Sequence, residues 1–386
     1  MIARSGIALL ALALAAGTAR AEGVAKHLAP VPAPTLALMS ARAIDPAAPI
    51  LMRVFKKESE LEVWKRARDG RYVHLKTFPI CRWSGALGPK RRTGDRMSPE
   101  GFYPIAPRQM NPNSAYYLSF DTGFPNAYDR AQGATGSALM VHGTCSSMGC
   151  YAMTDRQVGE IFSLAREAFK GGQKAFQFQA YPFRMTAWAM ARHRADPNID
   201  FWTQLKEGYD RFEATGEEPA VEVAAGRYAF PAYRDPARET LARARVARER
   251  AGVAVLVAQG TGAVRTTYED GGQHATFAAQ IARGASFGML SRPEALPAAG
   301  REMTVIAARR GRLACPGPAC AERIEVPPVA LPVAWAMLAD PGSVPEAEPS
   351  LFGKASVEEG TTRLTLAPAA RPRAMPAFVL AVAATE

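Results

Sequence analysis

The feature that most constrains the fold is a series of short β-prone runs separated by clusters of Gly, Pro and Asn. The runs lie at residues 50–55, 61–65, 71–78, 102–103, 115–120 and 137–142. Asp69-Gly70, between the second and third runs, is typical of a two-residue hairpin turn. Short strands at such close spacing predict a mostly β domain.

A helix is predicted directly after the last of these strands. Thr154 and Gln157 match the capping-box pattern, and Gly171-Gly172 would end the helix. One face would carry six apolar residues: Val158, Ile161, Phe162, Ala165, Ala168 and Phe169. An alternating strand is expected at 176–180 and a short helix at 205–212, which gives a mostly β fold with flanking helices.

The N-terminus has the layout of a secretory signal peptide over residues 1–21. Arg4 precedes a ten-residue apolar run, and Ala19-Arg20-Ala21 forms a small-x-small cleavage site. The run is too short to span a bilayer, and Pro, Gly or charge interrupts the other apolar stretches, so no integral membrane segment is expected after cleavage. The alternative is an uncleaved anchor. The net charge of +11 suits an anionic partner, and for an exported chain the cell envelope is a better candidate than nucleic acid.

Composition divides the remaining chain into three parts. Residues 22–48 are rich in Ala and Pro and are predicted to be a flexible lead-in rather than core. The patterned region, 49–232, is predicted to be one domain. Residues 233–386 are predicted to be a partly disordered, low-complexity C-terminal region of unknown role, with a small wall-binding or interaction module as the alternative.

The chemically informative segment is LMVHGTCSSMGCYAMTD, at residues 139–155. His142 ends an apolar strand, and Cys150 follows after a loop rich in Gly and Ser, just before the predicted helix. An imidazolium and a helix N-terminus would both stabilise a thiolate, which is the nucleophilic form of Cys150. His142 could take and return a proton, and small residues such as Ser147 and Gly149 would leave backbone N–H groups free to bind an oxyanion. The segment predicts a Cys/His acyl-transfer site.

Two other interpretations of these residues stay open. His142, Cys145 and Cys150 could ligate a metal ion, although no fourth ligand lies nearby in the sequence, so no metal is predicted. A buried, inert Cys150 beside a core histidine is the second alternative.

The HG pair at 142–143 and the SxGC element at 147–150 resemble the signature of the L,D-transpeptidase (YkuD-type) family, cysteine enzymes that act on peptidoglycan stem peptides. The stretch ICRWSGALGPKRRTGDRMSPEGFYPIAPRQMNPNSAYYLSFDTGFPNAYDRA resembles the murein L,D-transpeptidase subgroup, which includes a lipoprotein-releasing L,D-endopeptidase. The resemblance covers about residues 48–232, so that 49–232 would be the catalytic domain.

This resemblance implies a β-sandwich catalytic fold and no cofactor, while the predicted signal peptide places the protein in the periplasm. Cys150 matches the family nucleophile and His142 its general base, while Ser147 and Gly149 match the loop that supports them. The family-like stretch also contains candidate groove residues, for which core packing is the equal alternative: Tyr117, Asn126 and Tyr128.

The expected reaction is attack of Cys150 on the third residue of a tetrapeptide stem, with loss of a D-amino acid and formation of a thioester. An amine then completes transpeptidation in cell-wall biogenesis or remodelling. If water attacked the thioester instead, the protein would be an L,D-endopeptidase that releases a peptidoglycan-linked outer-membrane protein. A non-catalytic wall-binding protein is a further alternative. Two departures from the family, the short interval between His142 and Cys150 and the presence of Ala152 where Arg is common, leave the acceptor open.

The five cysteines would be accounted for by one reactive thiol and two disulfides in an oxidising compartment. Cys315 and Cys320 could close a small loop, which would leave Cys81 to pair with Cys145; the alternative is that the enzyme keeps spare thiols, so the pairing stays open.

Overall fold

Two five-stranded sheets form the centre of the fold, in a computed structural model that describes residues 25–308. The first sheet consists of β1 (Ile50–Phe55), β2 (Glu60–Arg66), β3 (Tyr72–Pro79), β5 (Gly101–Ile105) and β10 (Phe176–Tyr181), in the order β3-β2-β1-β10-β5. The second consists of β4 (Arg82–Trp83), β6 (Met110–Asn111), β7 (Ser119–Asp121), β8 (Met140–His142) and β9 (Tyr151–Ala152), in the order β4-β9-β8-β7-β6. One pair in each sheet is parallel, β1 with β10 and β8 with β9.

Seven α-helices and two two-stranded sheets flank this centre in the described chain. The helices are α1 (Ala33–Ala41), α2 (Ala127–Ala131), α3 (Asp155–Lys170), α4 (Ala187–Arg192), α5 (Ile199–Thr215), α6 (Pro236–Ala258) and α7 (Ala275–Ala282). β11 (Glu222–Ala224) and β12 (Arg227–Ala229) form a hairpin, and β13 (Ala263–Thr267) pairs antiparallel with β14 (Arg301–Ile306) across a connection that contains α7. Within residues 25–308, no helix combines the length and the apolar composition needed to cross a membrane.

Aromatic rings join the two sheets into a sandwich. The Phe120 ring of β7 lies 5.7 Å from Phe176 and 6.1 Å from Phe178, both on β10, in edge-to-face contacts. Such contacts between large apolar rings stabilise a core beyond the area they bury. The predicted mostly β fold with flanking helices is confirmed, and its strands are concentrated between residues 50 and 181.

Helix α5 covers the other face of the first sheet, so that both faces of β10 are buried. All six residues of β10 are buried, including Gln177 and Gln179, although alternation predicted that these polar residues face solvent. The Tyr181 ring meets Tyr209 of α5 at 5.4 Å. The Gln179 amide donates to Gln177 Oε1 at 2.6 Å, so these buried polar groups are paired.

Local sequence signals placed the first hairpin and the first long helix correctly. β2 and β3 pair antiparallel around Asp69-Gly70, although the turn closes through Ala67 and Arg71 and is longer than two residues. Gly70 has φ +83°, a conformation that favours glycine. Helix α3 begins after Thr154, whose hydroxyl accepts the Gln157 N–H in the predicted capping box.

The lead-in contributes to the core, contrary to the flexible segment that its composition predicted. Met39 of α1 is fully buried, and Val31 and Ile44 join the same cluster. Thr35 Oγ1 donates to Glu160 Oε1 of α3 at 2.5 Å, so the segment is held by polar contacts as well. The alanines and prolines of this segment belong instead to a packed helix, α1, which has proline at its start. The predicted signal peptide, residues 1–21, lies outside the described residues.

The ordered chain also continues past the predicted boundary at residue 232. Helix α6 packs on α5 through ion pairs, with Lys206 Nζ 3.0 Å from Glu249 and Arg211 Nη2 2.6 Å from Glu239. Residues 236–306 are therefore an ordered part of the region that composition predicted to be partly disordered, and their helices and strands pack on the preceding domain. Residues 309–386, with Cys315 and Cys320, lie outside the described part.

A buried ion pair gives a stability prediction. Lys56 Nζ lies 3.0 Å from Glu100 Oε1, and both side chains are fully buried. We expect Lys56→Met to lower the free energy of unfolding by about 3–5 kcal/mol, because it leaves the Glu100 charge buried and unpaired. Urea denaturation measures this cost. The neighbouring Lys57→Met, whose partner Glu302 is partly exposed, is the matched control and should cost about 0–1 kcal/mol. Equal costs for both variants would contradict the assignment.

Candidate active site

The parallel pair β8–β9 places the two predicted catalytic residues on neighbouring strands. His142 is the last residue of β8 and lies opposite Ala152, while Cys150 directly precedes β9. The Met140 N–H is 3.4 Å from Cys150 Sγ, so the thiol lies level with the start of β8. His142 is the second residue after Met140, an offset of about 7 Å along the strand. The fold therefore brings His142 and Cys150 to diagonal positions on adjacent segments of the second sheet.

His142 is oriented for accepting a proton. Its side chain is buried, and its ring lies 4.6 Å from the Tyr116 ring. Nδ1 donates to the carbonyl of Gly143, which acts only as an acceptor. In the neutral imidazole the proton is then on Nδ1, and Nε2 keeps its lone pair. Burial lowers the pKa of His142 below its usual value, which favours this neutral base at pH 7.

Cys150 differs from the expected thiolate. Burial, the largest influence, raises the pKa of the Cys150 thiol; the Met140 N–H lowers it, the Asp121 carboxylate raises it and Lys90 lowers it, and the pKa remains above its usual value. The helix N-terminus does not supply the expected stabilisation, because α3 begins only at Asp155 and the Thr154 hydroxyl accepts a first-turn N–H. The resting pair is therefore a neutral thiol beside a neutral imidazole, and the thiolate must form during the reaction.

Ser147 holds the backbone of the cysteine loop, the segment 143–150. Its Oγ accepts the N–H groups of Cys150 at 3.1 Å and of Gly149 at 3.3 Å, and donates to the Cys150 carbonyl at 2.7 Å. Gly149 has φ +127°, which favours glycine at this turn. The expectation that these N–H groups are free for an oxyanion is wrong for this state. Ser147 and Gly149 shape the loop instead.

Two further serines, which the sequence analysis did not assign, support the same loop. Ser84 Oγ lies 2.9 Å from Ser147 Oγ, and Ser98 Oγ donates to the Cys150 carbonyl at 3.0 Å. The Ser98 carbonyl in turn accepts from Lys56 Nζ of the buried ion pair at 3.0 Å. Both serines lie in the family-like stretch, but no spacing in the sequence indicates that their hydroxyls contact the cysteine loop.

The predicted groove residues have three different environments. Tyr128 is buried and its ring stacks 4.5 Å from Tyr228, which agrees with the core-packing alternative for this residue. Asn126 caps α2 by accepting the Asp129 N–H, and it also borders a cavity described below. Tyr117 has φ +67° and its side chain packs close to Gly143, beside the site, so its role in the groove stays a prediction.

An open cavity of about 1090 Å³ begins one strand away from the thiol. Asp121 lines it and lies opposite Met140, the residue whose N–H contacts Cys150 Sγ. Arg108 and Arg130 supply positive charge to the same cavity, and Tyr228 supplies an aromatic wall. The volume suffices for a ligand larger than most small-molecule sites hold.

A disulfide joins Cys81 to Cys145, one of the arrangements that the cysteine count left open. It ties the cysteine loop to the residue that precedes β4. The sulfur of Cys145 is therefore unavailable as a metal ligand, and residues 25–308 contain no group of three His, Cys, Asp or Glu side chains placed to hold an ion. Within that range Cys150 is the one cysteine outside a disulfide.

The comparisons with known proteins agree with this geometry. The model of the family described as the L,D-transpeptidase catalytic domain, YkuD, matches residues 50–171. The protein named "Putative L,D-transpeptidase YafK" of Escherichia coli K12 is 48% identical over 181 residues, which are 47% of this chain and 73% of that protein. Its counterpart in Escherichia coli O157:H7 matches equally. The chain belongs to the L,D-transpeptidase (YkuD) family.

Solved structures show more distant likenesses. The helical cell shape determining protein Pgp2 of Campylobacter jejuni is 18% identical, with 50% of this chain and 80% of that chain covered and a TM-score of 0.28. Bd1075 of Bdellovibrio bacteriovorus is also 18% identical, with 45% and 60% covered and a TM-score of 0.26. The family assignment rests on the sequence matches rather than on these values.

The neutral thiol predicts a distinctive pH dependence of alkylation. In a Cys315→Ala/Cys320→Ala background, we expect iodoacetamide to modify Cys150 more slowly than a model thiol at pH 7 and progressively faster as the pH rises towards 9 and above, because only the thiolate reacts. Asp121→Asn should accelerate the reaction at pH 7 about two- to tenfold, because it removes a negative charge that raises the thiol pKa. A fast rate that stays constant from pH 5 to 9 would instead show a preformed thiolate.

Proposed function

We propose that the protein is a peptidoglycan L,D-transpeptidase that forms a thioester on Cys150, with His142 as general base. The observation that carries this proposal is the pairing of β8 with β9, which puts an imidazole with an unprotonated Nε2 diagonally across from the one free thiol of the described chain. Family membership supports the reaction class, and the name of the Escherichia coli relative supports the same choice.

Acylation would proceed through proton transfer within this neutral pair. His142 Nε2 takes the thiol proton as Cys150 Sγ attacks the carbonyl carbon of the third residue of the stem peptide. The tetrahedral intermediate collapses with cleavage of the peptide bond, and the imidazolium returns the proton to the departing amine of the D-amino acid. A thioester then remains on Cys150.

The two candidate activities, transpeptidase and endopeptidase, differ only in the nucleophile that attacks the thioester in the second half of the reaction. An amine of another stem attacks the thioester while His142 takes its proton, and the thiol leaves as the new amide forms. If water attacks instead, the products are a free carboxylate and the thiol, which is the outcome for an L,D-endopeptidase that releases a wall-linked protein. Water exclusion by a bound acceptor favours transfer.

The cavity beside Asp121 is the best candidate for holding a stem peptide. Stem peptides carry carboxylates and an amine, and the cavity offers Arg108 and Arg130 for the former and Asp121 for the latter. Arginine can bind a carboxylate through two parallel hydrogen bonds, which fixes the orientation of a substrate. Export by the N-terminal segment would place this reaction in the periplasm, with peptidoglycan and its linked outer-membrane proteins as partners.

Substitutions at the site test the roles of Cys150 as nucleophile and His142 as general base. We expect Cys150→Ala to reduce turnover of a tetrapeptide muropeptide by at least about 10³-fold while leaving sacculus binding intact. His142→Gln should reduce turnover about 10²–10⁴-fold, because it removes the base. Muropeptide turnover is measured by mass spectrometry, and the Cys315→Ala/Cys320→Ala variant serves as the control with other cysteines removed. Full turnover by Cys150→Ala would contradict the nucleophile assignment.

Product analysis separates the candidate functions. Incubation with tetrapeptide muropeptides and with protein-bearing sacculi should give dimers joined through two diaminopimelate residues, with D-alanine released, if the enzyme is a transpeptidase. Tripeptides without dimers, or protein freed from the sacculi, would show that water resolves the thioester. Binding to sacculi without any product would support a wall-binding protein and contradict the proposed catalysis.

A further inference from the structure

The segment Tyr268 to Arg292, here called the C-terminal strap, lies against the cysteine loop although it is outside the family match at 50–171. It follows β13 and contains α7. It is seated on the edge strand β4, where Trp83 and Gly272 exchange two backbone hydrogen bonds of 3.0 and 3.1 Å. Gly271, at φ +64°, approaches the Trp83 carbonyl so closely that a Cβ would lie 2.0 Å from its oxygen. The strap therefore requires glycine at this crossing.

Ser291 of the strap contacts the loop directly. Its Oγ accepts the backbone N–H of Ser147 at 2.9 Å, and its carbonyl accepts Arg82 Nε at 2.9 Å. Ser147 is the residue whose hydroxyl holds the backbone of Gly149 and Cys150. The strap is therefore hydrogen-bonded directly to Ser147, the residue that positions the thiol.

Asp270 reaches the same loop residue through an arginine. Its side chain is almost fully buried and accepts from Arg96 Nη2 at 2.6 Å, and it also accepts the Gly85 N–H at 3.0 Å. Arg96 Nη2 donates to the Ser147 carbonyl at 3.2 Å. Arg82, whose Nη2 is 3.5 Å from Asp270, is the second cation that this carboxylate neutralises. Both backbone polar groups of Ser147 are therefore fixed from the strap, one directly and one through Arg96.

The strap also covers the disulfide on the other side of the loop. Phe277 of α7 is buried in one cluster with Cys81 and Cys145, and Phe287 and Leu290 pack against it. The loop is thus restrained at Cys145 by an apolar cover and at Ser147 by hydrogen bonds. Both contacts lie within five residues of Cys150.

We propose that Asp270 and Ser291 are positioning residues of the active site, which hold Ser147 so that the Cys150 thiol keeps its place relative to His142. Small displacements of a reacting group are costly, and a shift of about 1 Å can lower a rate about 10²-fold. The role in turnover rests on the function proposed above. The role in placing the thiol does not, since it can be read from the reactivity of Cys150 alone.

The test compares two acid-to-amide substitutions on the C-terminal part of the full-length protein. Asp270→Asn removes the charge that orients Arg96. Glu302→Gln is the matched control, because Glu302 also pairs with two cations, Lys57 and Arg192, but none of these three residues contacts the cysteine loop. Both are made in the Cys315→Ala/Cys320→Ala background and compared by thermal unfolding, so that loss of fold is recognised.

We expect Asp270→Asn to lower kcat for the muropeptide about 10- to 100-fold with KM little changed, and to change the alkylation rate of Cys150 at least about twofold or shift its pH profile. Glu302→Gln should match the parent in both measurements. Ser291→Ala should reproduce the effect of Asp270→Asn more weakly, and Ser291→Thr, which keeps the hydroxyl, should restore part of it.

Muropeptide turnover and Cys150 alkylation together distinguish failure of the positioning role from failure of the proposed function. If the parent turns over no substrate but Asp270→Asn and Ser291→Ala alter Cys150 alkylation, the positioning role stands and the catalytic proposal fails. If both folded variants match Glu302→Gln in kcat and in the pH profile of alkylation, the positioning role is overturned. A uniform rise in KM with unchanged kcat and alkylation would also overturn it, since that pattern indicates substrate binding instead.

Discussion

The parallel pairing of β8 with β9 is the constraint on which the site depends. Parallel neighbours usually need a crossover of a dozen or more residues, whereas only residues 143–150 join these two strands. The connection is feasible because β8 has three residues, so the chain must return over only about 10 Å. The register sets His142 opposite Ala152 and leaves Cys150 beside Met140, so that backbone hydrogen bonds determine the offset between imidazole and thiol.

A loop that carries a nucleophile must be restrained, because an unrestrained loop would spend little time in the reactive geometry. Here the restraints come from distant parts of the chain: Cys81 through a disulfide, Ser98 through a hydrogen bond, and the C-terminal strap through Ser291. The same packing excludes water, which raises the pKa of Cys150 and lowers that of His142. Rigidity and a neutral resting pair therefore have one physical origin, the burial of the loop.

The sequence predicted those features that depend on neighbouring residues. Asp69-Gly70 predicted the hairpin, and Thr154 with Gln157 predicted the start of α3, whereas the count of cysteines left the Cys81–Cys145 bond as one of several arrangements. Features that depend on distant contacts were missed. The Ala/Pro-rich composition of 22–48 gave no indication that Met39 is buried. The Arg-rich sequence after residue 232 likewise gave no indication that a later segment, the C-terminal strap, contacts the cysteine loop. The thiol pKa could not be predicted either, since it depends on burial and on Asp121 across the sheet.

The central claim is that Cys150 is acylated by a peptidoglycan stem peptide, and intact-protein mass spectrometry of rapidly quenched reactions tests it most directly. We predict a transient adduct whose added mass equals that of the tetrapeptide donor minus the departing D-amino acid. Peptide mapping should locate it on Cys150, hydroxylamine should remove it as expected for a thioester, and Cys150→Ala should lack it. Turnover that proceeds with no adduct under any quench time, or with an adduct on another residue, would contradict the mechanism.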